Sequence, residues 1–132
     1  MKVSDERLLE LIERGDIELT LDSPEFVTVF GRRVKAYRIG RDRQHDYYLR
    51  ERYAFSMRIE GKRRTIVRAK LVWMVGARRV VPDGFEVHHL NGDRLDDRWE
   101  NLVAVLTDDH RKVEAWEEFR EISDSEPGEL PF

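Results

Sequence analysis

Three of the chain's four histidines fall in its last third, two in the run Glu86-Val87-His88-His89-Leu90-Asn91-Gly92-Asp93 and one at His110. A neutral imidazole titrates near cellular pH, so it can take a proton from water attacking phosphorus if the correct ring nitrogen is unprotonated. Adjacent residues of a regular strand point to opposite sides, so His88 and His89 cannot both do the same job. Two imidazoles converging from a strand and a helix, with positions left for water and phosphate, make a catalytic divalent-metal site. The third is then free to act as a base. A side-chain amide carbonyl such as that of Asn101 can fix its tautomer by accepting from the other nitrogen. The chain has no cysteine, which excludes thiolate zinc sites and disulfide scaffolds, so any metal must sit on His, Asp, Glu or Asn.

The elements that must position these groups read as a strand, loop, strand, helix pocket. Pro82-Asp83-Gly84 is a turn by chemistry, because proline presets its own φ and glycine accepts a positive one. A strand Phe85–His89 follows, then a polar loop from Asn91 to about Glu100. A short apolar strand Leu102–Leu106 leads to a helix capped at Thr107, with Val113, Trp116 and Phe119 on its apolar side. Upstream, Ser4-Asp5-Glu6 caps a helix carrying Leu8, Leu11 and Ile12, which Gly15 stops. Ile17 to Leu21 and Phe26 to Phe30 alternate as strands, the second hairpinned with Val34–Ile39. Gly40 to Asp46 has loop composition, with His45 as a solvated histidine. Tyr53, Phe55, Met57 and Ile59 share one face of a strand, Glu60-Gly61 turns it, and Lys62–Val67 returns beside it. Ala69–Val75 reads as a short apolar helix stopped by Gly76.

These residues resemble the HNH endonucleases of the ββα-metal type, and particularly their phage and homing-type members. The resemblance covers roughly residues 53–114 and rests on the hairpin, Leu71-Val72-Trp73, Pro82-Asp83-Gly84, the His88-His89 run, Asn101-Leu102 and His110. The step from His89 to Asn101 is twelve residues and from Asn101 to His110 nine. The resemblance implies His88 and His110 as metal ligands, His89 as general base and Asn101 as the residue orienting that base. The implied fold is α+β, a ββα-metal core over residues 51–122 preceded by a β-rich, basic N-terminal extension over residues 1–50. Residues 123–132 read as a disordered acidic tail. Where relatives open the preceding helix with His-Arg-Leu, this chain has Ala69-Lys70-Leu71, and where some carry a further His after the last ligand it has Glu114.

At 132 residues the chain holds one domain with room for a small appendage. Its net charge of -3 conceals a strong partition. Residues 31–80 carry sixteen basic and four acidic side chains, while residues 1–30 carry three and eight. The basic middle, interleaved with aromatics, has the electrostatic footprint of a phosphate-backbone binder, with Arg63, Arg64, Arg68, Lys70, Arg78 and Arg79 as candidate nucleic-acid contacts. The acidic first thirty residues can dock a protein partner, shield the basic face or complete the core. No secretory or membrane segment is legible, so the expected location is cytoplasmic. The expectation is a metal-dependent DNA endonuclease with one divalent cation, magnesium or manganese for activity, with zinc or nickel also able to bind. The rival reading is a non-catalytic DNA-binding or packaging-associated module that keeps the metal pocket as a structural staple.

Overall fold

Ser4 starts the first helix, α1 (Asp5–Arg14), by accepting from the Arg7 amide at 3.1 Å, and Gly15 ends it with φ 84°. Leu8, Leu11 and Ile12 are its buried face. The computed structural model describes residues 3–40 and 51–107. The loop expected around His45, the helix expected after Thr107 with His110 and Glu114, and the expected acidic tail therefore lie outside the described residues.

After α1 come β1 (Ile17–Leu19), β2 (Phe26–Val29) and β3 (Arg32–Lys35), an antiparallel sheet in the order β1-β2-β3. The strand expected to reach Leu21 ends at Leu19. A second sheet joins β4 (Tyr37–Ile39), β5 (Arg52–Ile59) and β6 (Lys62–Val67) in the order β4-β5-β6. The single strand expected over Val34–Ile39 is broken at Ala36. There the chain changes sheets, since Lys35 pairs with Phe26 and Tyr37 with Ala54. Ala36 is buried and its amide donates to the Glu25 carbonyl at 3.0 Å, which keeps the crossing point satisfied. Because β4 pairs with β5, the first fifty residues and the following segment share a sheet.

The helix α2 (Arg68–Ala77) lies at the centre, with Leu71, Val72, Trp73 and Met74 wholly enclosed. A helix apolar on every side must be surrounded, and this one meets α1, β5, β6 and the closing ribbon β7 (Phe85–His89) and β8 (Leu102–Leu106). One cluster of buried side chains runs from Leu8 and Leu11 through Phe55 and Trp73 to Leu102 and Ala104. The architecture is α+β. The acidic first segment completes this core and also answers the basic middle, since Asp5 pairs with Arg64 and Lys70, each at 2.7 Å. Burial works against the Asp5 charge, but the hydrogen bonds from Lys70 and Arg64 outweigh it and hold the carboxyl below its usual value.

Gly76 does not stop α2. The helix continues to Ala77 and is closed by Arg78 in the left-handed region at φ 60°. Gly76 is required for a different reason: a Cβ there would fall 2.3 Å from Cε3 of the Trp99 indole. The ring lies flush on the helix backbone, and the Trp99 amide donates to the Leu21 carbonyl at 2.9 Å, so this contact fastens the loop before β8 to the body. Gly76→Ala should therefore destabilise the fold by about 1–3 kcal/mol through overpacking, exceeding the gain of about 1 kcal/mol in helix propensity. Urea unfolding measures the balance, and a stabilised variant would mean that Trp99 can move aside.

Candidate active site

The β7–β8 ribbon is antiparallel, with His88 opposite Val103 and His89 opposite Leu102. Burial along β7 alternates as a strand requires: Glu86 and His88 are exposed, while Phe85, Val87 and His89 are partly covered. Both histidines border a cleft of about 560 Å³ between β7, the start of α2 and Asp5. Arg52, Lys70 and Arg94 also line it, interspersed with Asp5, Asp83 and Glu86, and of these Lys70 is paired with Asp5. Of these, Arg52 and Arg94 were not singled out from sequence, where nothing separated them from the many other arginines.

The loop between the strands is built from short polar side chains that bond their own backbone. Asn91 Oδ1 accepts from the Asp93 amide at 2.8 Å, and Asp93 Oδ1 from the Leu95 amide at 2.9 Å. Gly92, at φ 78°, supplies the left-handed step. Asn101 closes the loop from below. Its Oδ1 accepts from the Asn91 amide at 3.0 Å, and its Nδ2 donates to Asn91 Oδ1 at 3.0 Å and to the Asp96 carbonyl at 2.8 Å. The Asn101 side chain is thus fully used in holding the loop shape, and the contact to His89 expected of it is made by Asp97 instead. His89 Nε2 lies 2.6 Å from Asp97 Oδ1.

Asp97 is almost completely enclosed, its side chain 1 % exposed, and its other oxygen receives Arg68 Nε at 2.7 Å. Arg68 also donates to the Leu95 carbonyl at 3.0 Å and stacks on the Tyr53 ring at 4.0 Å. This corrects the assignment of Arg68 as a phosphate contact, because a buried guanidinium committed to a carboxylate has no face left for DNA. Arg64 is likewise engaged, with Asp5 and the Val3 carbonyl. Arg63 is exposed and donates to Ser56 Oγ at 2.9 Å, Arg78 is exposed, and Lys70 reaches the cleft edge beside Asp5. Nothing in the sequence separates Asp97 from Asp93 or Asp96, since all three are acids in one polar loop. Only the fold of that loop turns one of them inward.

No three His, Asp or Glu side chains gather as a metal site among the described residues. Of the two ligands expected, His88 lies on the cleft, and its imidazole suits a borderline divalent ion. His110 is outside the described residues.

Residues 78–112 match the family described as HNH endonuclease, a span from the end of α2 across β7, the loop and β8 to just beyond His110. No curated protein and no solved structure matches the chain.

The loop also carries its own pH response. Hydrogen bonds from Arg98 lower the Asp96 carboxyl to about 2, against desolvation that would raise it. A depressed acid adds stability that is present above its unfolded value of 3.8 and is lost as pH falls through about 2. In Arg98→Ala the Asp96 carboxyl should titrate nearer the unfolded value, as followed by NMR of its side-chain carbon, and acid unfolding should begin at higher pH. Asn101→Ala should expose the Asn91 amide to fast hydrogen exchange and lower stability by about 1–3 kcal/mol, because it leaves buried loop groups unpaired.

Proposed function

We propose, from the match of residues 78–112 to the family described as HNH endonuclease, that the chain is a metal-dependent DNA endonuclease hydrolysing phosphodiester bonds. His89 is the general base, His88 and His110 hold a single divalent cation, and the cleft that His88 and His89 border receives the phosphate. The observation that supports this most is the division of the histidine pair. His88 is exposed on the cleft, whereas the His89 side chain is only 12 % exposed and is held from behind. One imidazole therefore stands at the surface of the cleft, on the side proposed for the ion, and the other is oriented by Asp97.

A water approaching the phosphorus gives its proton to His89, and Lys70, Arg52 and Arg94 attract and balance the phosphate charge. His88 and His110 would hold a divalent ion, which would supply charge neutralisation to the phosphate. Magnesium or manganese suits turnover because each accepts the coordination number that water and phosphate demand, while zinc or nickel binds imidazole well. Arg63, Arg78 and Arg79 extend the phosphate-contacting surface beyond the cleft, giving affinity without sequence readout.

With supercoiled plasmid and manganese, wild type should cleave and excess chelator should abolish cleavage. His89→Ala should lose cleavage while calorimetry shows manganese still bound. If His89→Ala lost the ion and His88→Ala kept it, the two roles would be exchanged. Cleavage undiminished by chelator, or in the double substitution of His88 and His110, would place catalysis elsewhere. Replacing Arg63 and Arg78 with Ala should weaken binding to all duplexes alike and reduce the slope of log affinity against log salt by about 2, since roughly one counterion release is lost per contact. Arg64→Ala should act chiefly on stability, because its guanidinium serves Asp5 and Val3.

A further inference from the structure

We propose that Asp97, clamped by Arg68, is the positioning residue that sets the tautomer of His89, a role that rests on the reading of His89 as general base. Asp97 Oδ1 stands 2.6 Å from His89 Nε2 and Oδ2 stands 2.7 Å from Arg68 Nε. Both Asp97 and Arg68 are buried, at 2 % and 7 % exposure. An arginine stays protonated under all relevant conditions and can only donate. The Asp97 oxygen facing it therefore accepts, and a carboxylate engaged by a guanidinium offers its other oxygen to His89 as an acceptor too.

His89 must then present Nε2 as an N–H to Asp97. In the neutral ring this leaves the lone pair on Nδ1, which has no hydrogen-bond partner among the described residues. Nδ1 is thus the atom that takes the proton from water. Arg68 is itself fixed on three sides, by Asp97, by the Leu95 carbonyl and by the face of Tyr53. The carboxylate consequently cannot rotate to exchange its two partners. Asn101 contributes one step further out, through its bond to the Asp96 carbonyl immediately before Asp97.

The substitution Asp97→Asn separates this role from a structural one. Arg68 still demands an acceptor, so the amide oxygen turns to Arg68 and the amide nitrogen is left pointing at His89. Nε2 must then accept, and the proton moves to Nδ1. In the full chain with magnesium, nitrogen NMR of His89 at alkaline pH should show a protonated Nε2 in wild type and a protonated Nδ1 in Asp97→Asn. The variant should lose at least about 100-fold in kcat with KM changed little, as expected for a base in the wrong tautomer.

Adding Arg68→Leu to Asp97→Asn releases the amide to turn its oxygen toward His89, and should recover the wild-type tautomer and part of kcat. No purely structural brace predicts recovery from a second lesion. A wild-type His89 protonated on Nδ1 would overturn the proposal without any variant, as would an unchanged tautomer in Asp97→Asn. A reversed tautomer with undiminished kcat would leave the positioning of His89 by Asp97 standing and remove His89 as the base.

Discussion

A guanidinium and a carboxylate buried together are costly to desolvate, and they persist only where their remaining hydrogen-bonding groups are also met. Arg68 and Asp97 satisfy that condition through His89, the Leu95 carbonyl and the Tyr53 ring. The pair joins four parts of the molecule: the first residue of α2, the strand β5 through Tyr53, the loop before β8 and the end of β7. Removing either partner would strand a charge in the interior. The relative placement of ribbon and central helix is therefore coupled to the same contact that orients the imidazole.

Around this pair the fold supplies rigidity from two directions. Trp99 lies flat on α2 where Gly76 leaves no Cβ, so the loop is seated against a helix whose Leu71, Val72, Trp73 and Met74 are wholly enclosed. Asn101 fills the underside of the loop and ties Asn91 to Asp96. An irregular segment is thereby tied to the body through Trp99 and braced from within by Asn101, which fixes the geometry proposed for His89.

The N-terminal segment resolves its sequence ambiguity by doing two of the three things its charge allowed. Its apolar face closes the core through Leu8, Leu11 and Ile12, and Asp5 answers Arg64 and Lys70 at the edge of the cleft. Some of the positive charge that looked available for phosphate is thus internal to the fold. Charge counted along a chain measures supply, whereas pairing in space decides how much of it reaches a ligand.

Periodicity and turn chemistry were enough to place β6 at Lys62–Val67, β7 at Phe85–His89 and β8 at Leu102–Leu106, because each is bounded by local signals in Gly, Pro or polar runs. The Ser4 cap, the Gly15 stop and the splitting of His88 from His89 followed from the same local rules. The spacing of the histidines and Asn101 carried the resemblance to HNH endonucleases, which the match over residues 78–112 supports. What the sequence could not determine was every choice among equivalent residues. The change of sheet at Ala36 depends on a partner at Ala54, and the need for glycine at position 76 depends on a ring twenty-three residues away. The selection of Asp97 over Asp93 and Asp96 to face His89 depends on how the loop folds against Arg68. Local chemistry is written in neighbouring residues, but burial and pairing are properties of groups that meet only once the chain has closed on itself.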